Sequence, residues 1–216
     1  MSTKIIHHGD ESHILYIARV SSNQENSDPG LLRFLIRQNH WSPFEMIGAC
    51  VEISTTRDIG RQILRHRSFS FQEFSQRYAA VTDMVQEREA RLKGSTNRQG
   101  STENRSGQAE EIMAAHARHS ARCYQTLLDL NIAPECARAV LPEGLTPTRM
   151  YMNGTLRSWI HYLRERCKLD CSDKPCVPFA QREHYRLARE IEAQLRAVFP
   201  ITFAALDMIS YIDKEA

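Results

Sequence analysis

The sequence predicts an α+β fold in one domain, a central sheet packed with helices. Three observations carry this. Segments that alternate apolar and polar residues lie mostly in the first half of the chain, as from Ile47 to Ser54. Apolar residues at three- and four-residue spacing recur along the chain and dominate its second half. The 216 residues are 42% hydrophobic and 25% charged, which is enough for one substantial core and usual for a globular protein.

Taken in order, Lys4 to His8 reads as a first strand, and Glu11 to Val20 as a helix with Ile14, Ile17 and Ala18 on one side. Asp28 or Ser27 caps a second helix, with Pro29 in its first turn and Leu31, Leu32, Leu35 and Ile36 repeating at helical spacing. His40 to Phe44 ends it, and Ile47 to Ser54 is a strand with Ile47, Ala49, Val51 and Ile53 on one face. Thr56 to Arg67 reads as a helix, and Ser68 to Val81, rich in Phe and Tyr, as extended chain. Residues from about 91 to 107 are almost all small or polar and read as a solvated loop. A long helix from Gln108 to Leu130, a short one from Pro134 to Leu141, a strand from Thr146 to Met152 and a helix from Thr155 to Arg164 follow. A second loop, about 167–180, leads to a helix from Arg182 to Phe199.

The net charge of +2 argues against a protein drawn to nucleic acid by its overall charge. No apolar run resembles a signal peptide or a membrane span, so the expected location is the cytoplasm. In that compartment the six cysteines are expected to be free thiols. Cys167, Cys171 and Cys176 invite a zinc reading with His184 or His161 as a fourth ligand, but their spacing lacks paired two-residue gaps. A surface loop with free thiols is favoured, and no metal is expected. His116 and His119, three apart on the long helix, read as solvated.

The most informative stretch is Arg57 to Tyr78. Arg57, Arg61 and Arg65 fall four residues apart, on one helix stripe, and His66 and Arg67 follow at once. Clustered guanidiniums repel unless an anion lies between them, and Arg binds phosphate bidentately. If the next segment is extended, Glu73, Ser75 and Arg77 share one face, and Ser75 with Arg77 can clamp a phosphate. Glu73 would repel that phosphate and must face another group, such as a ribose hydroxyl or an arginine. The alternatives are a solvated helix face, or a non-catalytic protein binding nucleotide or RNA through the arginine patch.

The run Arg65-His66-Arg67-x-x-Ser70-x-Gln72-Glu73-x-Ser75-x-Arg77-Tyr78 closely resembles the signature of the flavin-dependent thymidylate synthases. Ala18-Arg19-Val20-Ser21, His40-x-Ser42-Pro43-Phe44-Glu45, Ala137-Arg138-x-Val140-Leu141-Pro142 and Arg157-Ser158-Trp159-Ile160-His161 resemble further family segments, in the family's order. The resemblance covers residues 14 to 210 apart from two loops.

It implies an enzyme that binds FAD, takes reducing equivalents from NADPH and a one-carbon unit from 5,10-methylenetetrahydrofolate, and converts dUMP to dTMP. It also implies a homotetramer whose chains share active sites, with small molecules and not nucleic acid as partners. By resemblance Ser21, Ser42, Arg65, His66, Arg67, Glu73, Thr155, Arg157 and His161 contact the cofactor, with His40 near flavin and folate. Gln62, Arg65, Glu73, Ser75, Gln76, Arg77 and Arg138 match the dUMP set, and Arg166 matches the catalytic arginine that meets the uracil ring. Helical spacing places Arg166 opposite Arg157, so this role requires the helix to end near Cys167, and Arg164 is the fallback. Thr155 stands where many members have Asn, and Phe179 replaces a family His just before Gln181. None of the six cysteines lies in the basic signature, which points away from a covalent cysteine mechanism. Ser75 as a nucleophile has no evident base beside it, so a phosphate-binding role is favoured for it.

Overall fold

The structure is a computed structural model that describes residues 1–20, 28–82, 86–95, 100–167 and 180–212, with side chains to 208. Its frame is the α+β arrangement that the sequence predicts. A four-stranded sheet has the order β1-β2-β6-β3, formed by β1 (Ser2–His8), β2 (Gly48–Thr56), β6 (Pro147–Thr155) and β3 (Phe69–Glu73). Ala49, Val51 and Ile53 of β2 are buried and the residues between them are half-buried, which is the alternation read from the sequence.

The chain divides into two compact units, one holding Met1, Ser54–Arg65 and Gln72–Met150, the other Ser2–Ile53, His66–Phe71 and Tyr151–Ala216. The first contains α3 (Arg57–Ile63), α4 (Gly107–Asp129) and α5 (Pro134–Ala137). Its core gathers Val81, Tyr124 and Ala137, with Phe74, Leu127, Leu128 and Leu141 packed against them. The Tyr124 hydroxyl accepts a hydrogen bond from the Val81 amide at 3.2 Å. Ser106 caps α4 by accepting from the Ala109 amide.

The second unit contains α1 (Ser12–Ala18), α2 (Gly30–Arg37), α6 (Leu156–Arg166), α7 (Arg182–Val198) and α8 (Pro200–Ile212). There α2 packs on α8, and α7 packs on β1, α6 and α8. Trp159, Tyr162, Phe44, Phe199 and Phe203 are essentially fully buried in it. Two glycines permit close approach at the start of α6. A Cβ on Gly48 would lie 2.3 Å from the Gly154 carbonyl oxygen, and a Cβ on Gly154 would lie 2.3 Å from the Phe69 ring.

Both units end a helix in the same way. Asn39 (φ 57°) and Asn131 (φ 61°) take the left-handed conformation just past α2 and α4. The amides of His40 and Ile132 then reach back to the carbonyls of Leu35 and Leu127, which completes a Schellman cap at each helix. In the second unit this cap is what delivers His40 to the surface.

Several sequence expectations are corrected. The stretch 91–107 is not a structureless loop: β4 (Arg91–Lys93) and β5 (Ser101–Arg105) pair antiparallel, with Arg91 opposite Arg105 and Lys93 opposite Ser101. The hairpin buries no apolar face, so the period-two signal that reports burial is missing from its sequence. The helix read as Thr56 to Arg67 stops at Ile63, and the extended stretch from Ser68 stops at Glu73. Helix α8 was not expected. Its first turn is capped from far away in sequence by the buried Glu11 carboxylate, which accepts from the amides of Ile201 and Thr202, both at 2.9 Å, and from the Thr202 hydroxyl at 3.0 Å. A cap supplied by tertiary contact leaves no local sequence signature.

Candidate active site

Of the residues singled out from the sequence, Gln62, Arg65, Glu73, Ser75, Gln76, Arg77 and Arg138 belong to the first unit. The arginine stripe expected along one helix is divided there. The Arg57 guanidinium lies 3.5 Å from Glu73 and is largely buried, and Arg61 pairs with Glu143 at 3.0 Å at the surface. Arg65 lies beyond the end of α3 and is exposed. Carboxylates, not a shared anion, therefore balance the first two. Glu73 also accepts a hydrogen bond from the Thr148 hydroxyl at 2.9 Å. Of the groups weighed for it, an arginine is the one it meets.

Because β3 ends at Glu73, strand alternation does not align Ser75 with Arg77. A turn follows instead: the Tyr78 and Ala79 amides both donate to the Ser75 carbonyl at 3.1 Å. The turn leaves Ser75 and Arg77 exposed and buries Gln76, whose Nε2 has no hydrogen-bond partner among the described residues. A buried amide donor without a partner is costly and marks a place where a polar ligand atom would be accepted. Arg77 Nε lies 3.3 Å from the Glu135 carboxylate, and Arg138 Nε donates to the Glu135 backbone carbonyl at 3.3 Å. Two arginines 61 positions apart in sequence thus meet one residue on α5. Glu135 itself carried no signal in the sequence.

His40, Ser42, His66, Arg67, Thr155, Arg157, His161 and Arg166 belong to the second unit, and Ser21 lies outside the described residues. Ser42 opens a short 3-10 turn (Ser42–Glu45) and is exposed, as are His40 and Arg67. The Phe34 and His40 rings meet edge on, 6.1 Å apart. Thr155 is the N-cap of α6, its hydroxyl accepting from the Ser158 amide at 3.2 Å. One turn on, Arg157 forms an ion pair with Glu45, and His161 packs on Trp41 at 5.1 Å between ring centroids.

The condition set for Arg166 is met, since α6 ends at this residue with Cys167 as its C-cap. Arg166 Nε donates to His66 Nε2 at 2.9 Å, while the Arg164 guanidinium lies over the Trp41 ring at 5.2 Å. The two arginines therefore meet different neighbours, and Arg166 joins the Arg-His-Arg signature. Burial first, and then the nearby Arg166 charge, hold the His66 imidazole below its ordinary pKa. Burial first, with Arg164 and Arg157 adding to it, does the same for His161. A neutral His66 is what the hydrogen bond requires, because arginine has only donors and Nε2 must present its lone pair.

The Cys167 thiol is buried and donates to the Leu163 carbonyl at 3.3 Å, with Glu192 at 3.5 Å. Burial first and then Glu192 push it up to about 12, so it is not a thiolate near neutral pH. Its partners in the zinc reading, Cys171 and Cys176, lie outside the described residues, as does Phe179. His184 is hydrogen-bonded to Tyr162. No group of three or more metal-binding side chains gathers among the described residues.

A cavity of about 750 Å³ opens beside these groups, lined among others by Thr155, Glu45, Ser68, Ser70, Asn153 and Tyr16. Arg67 directly precedes Ser68 of this lining, and Arg157 is ion-paired with its Glu45. Two guanidiniums at its edge suit a bound anionic group.

The fold and these two constellations suit a class: α+β proteins with arginine- and histidine-rich surfaces fitted to anionic ligands. The chain matches the model of the family described as Thymidylate synthase complementing protein over residues 4–201, and it belongs to that family. It is 44% identical over 203 residues to the flavin-dependent thymidylate synthase of a Synechocystis species, covering 91% of this chain and 89% of that one. It is 41% identical over 208 residues to a probable flavin-dependent thymidylate synthase of Paramecium bursaria Chlorella virus 1, covering 92% and 91%. Among solved structures it is similar to the UMP/dUMP methylase PolB of Streptomyces cacaoi bound with 5-Br UMP. That match has a TM-score of 0.80 at 27% identity and covers 97% of this chain and 94% of the other.

Proposed function

We propose that this protein is an FAD-dependent thymidylate synthase, converting dUMP to dTMP with 5,10-methylenetetrahydrofolate as carbon donor and NADPH as reductant. The observation that carries the reading is the 2.9 Å contact of Arg166 with His66, which joins the end of α6 to the family signature. The family match spans 4–201, which supports reading both compact units as one catalytic domain over 1–216.

His66, Arg67, Arg157 and His161, with Thr155, Ser42, Ser21, Arg65, Glu73 and His40, are the residues that would hold FAD. The arginines next to the cavity lining fit its pyrophosphate. When bound, the flavin supplies the reducing equivalent that turns the transferred one-carbon unit into a methyl group. The chain's own groups hold and polarise the nucleotide. Arg77, Arg138 and Ser75 take its phosphate, with Arg65 and Gln62. The Gln76 amide offers a buried donor, and Glu73, kept in place by Arg57 and Thr148, takes a hydroxyl. Arg166 stabilises negative charge as it develops on the uracil ring. Since Nε is engaged by His66, its terminal N–H groups are the ones presented to substrate.

A homotetramer with shared sites is part of the proposal. Tyr16 and Tyr78, 82% and 91% exposed, are large apolar surfaces that such an assembly would cover. No described helix is long and apolar enough to cross a membrane. Cys50, Cys123, Cys136 and Cys167 are free thiols, which supports a reducing compartment such as the cytoplasm.

The test is a visible absorption spectrum of the purified protein before and after adding dUMP, followed by turnover with methylenetetrahydrofolate and NADPH. A flavin band that shifts with dUMP, and dTMP formation, are expected. A colourless protein that takes up no added FAD overturns the proposal.

A further inference from the structure

Behind His66 the second unit buries two polar side chains where apolar ones would pack as well. His184 of α7 is fully buried, and its Nε2 lies 3.1 Å from the hydroxyl of Tyr162, itself 1% exposed. The Tyr162 ring meets His66 nearly at right angles, 5.0 Å between centroids, and His184 stands perpendicular to His66 at 6.4 Å. The two polar groups are hydrogen-bonded to one another, which makes the pair tolerable in the core.

The arrangement is a relay of positions. Arg166 is oriented by one bond to His66 Nε2, and that bond exists only while the imidazole keeps one rotation and offers that nitrogen unprotonated. Two rings at right angles to His66 set its rotation, and the Tyr162–His184 bond sets the place of the Tyr162 ring.

We infer that Tyr162 and His184 are positioning residues for the reaction, acting through His66 to aim the Arg166 guanidinium at the nucleotide base. The inference rests on the proposed role of Arg166. The environment is consistent with it: burial, with the Arg166 charge next in weight, lowers His184 to about 3, and burial raises Tyr162, so both stay neutral and the bond persists across working pH. The sequence did not point to this role for either: Tyr162 was not singled out and His184 was weighed only as a zinc ligand, because both occupy inward positions of amphipathic helices.

The experiment is a double-mutant cycle on the flavin-loaded protein, read as the dUMP dissociation constant from the flavin spectrum. Tyr162→Phe and His184→Leu should each weaken dUMP binding roughly tenfold with flavin content unchanged, the size of coupling typical for residues in contact. His184→Gln, which can still bond the hydroxyl, should restore most of the loss. In an Arg166→Ala background Tyr162→Phe and His184→Leu should add nothing. Equal losses in both backgrounds would show a merely structural role and overturn the inference. So would unchanged dUMP binding by flavin-loaded Tyr162→Phe and His184→Leu. If one of these fails to hold flavin, the other and His184→Gln carry the same cycle. A wild-type protein that binds neither flavin nor dUMP overturns the functional reading and this inference with it.

Discussion

In the first unit one set of arginines stands at the surface, apart from the largely buried Arg57–Glu73 pair. Arg61, Arg77 and Arg138 meet Glu143 and Glu135 in half-exposed or exposed pairs, on turns and short helices. In the second unit, beside the exposed Arg157–Glu45 pair, another set of charged and polar groups is drawn inward. Arg166 is bonded to a half-buried His66, backed by a buried Tyr162 and His184, and the Glu11 carboxylate is sunk against the start of α8. Exposed pairs are screened by water and contribute little to stability, so their arginines can change partner when a phosphate arrives. Buried networks are held by the cost of leaving any member unsatisfied, so their geometry is set before the ligand comes. One region offers charge that can be recruited, and the other offers charge already aimed.

The sharpest way to break this contrast is Arg166→Ala. Removing one preorganised donor should lower turnover about 100-fold or more with circular dichroism unchanged. Near-normal dTMP formation would move the role to Arg164. Next in size, Arg77→Ala should weaken dUMP binding by roughly 10- to 100-fold, the loss of charge-assisted hydrogen bonds, with flavin retained. Lost flavin with intact nucleotide affinity would show that the assignment of Arg77 is wrong.

Glu11→Ala should cost about 2 to 3 kcal/mol of stability, because two amides and a hydroxyl lose their acceptor. Urea denaturation measures this, and a change near zero would remove Glu11 from the buried network. Acid should also act on the second unit. Unfolded imidazoles titrate near 6.5, and His184 titrates at about 3 when folded, with His66 also lowered. The unfolded chain then binds more protons between those values. Stability is full above pH 6.5 and falls as pH drops towards 3, by at most about 1.4 kcal/mol per pH unit for each ring. His184→Leu should make the fall shallower, and an unchanged slope in urea titrations across that range would place the acid sensitivity elsewhere. The smallest effect is expected from Glu135→Gln, within about 0.5 kcal/mol, since its partner Arg77 is exposed. A larger loss would mean that the surface pairs are more rigid than their exposure indicates.

Much of the fold was legible wherever burial follows a local period. The alternation in β2 and the repeat of α2 show which face is inward, because a half-buried element records its environment in its own residues. The hairpin of β4 and β5 was not legible because it buries neither face. Helix α8 was missed because its cap lies at Glu11. The helix bearing Arg57, Arg61 and Arg65 was overextended, since charge spacing continues past the point where the backbone stops, at Ile63.

What the sequence by itself determined is the chemistry on offer: an arginine- and histidine-rich signature and a family resemblance carried by residue types at fixed spacing. Covalent order is enough for that. Only the tertiary structure decided which charges are already paired, as Arg57 is with Glu73, and which of Arg164 and Arg166 turns to the signature. It alone shows that Tyr162 and His184 stand behind His66. The physical reason is that the hydrogen bonds and ring contacts that orient these groups join residues far apart in the chain, and a local pattern reports whether a residue is buried but not against what.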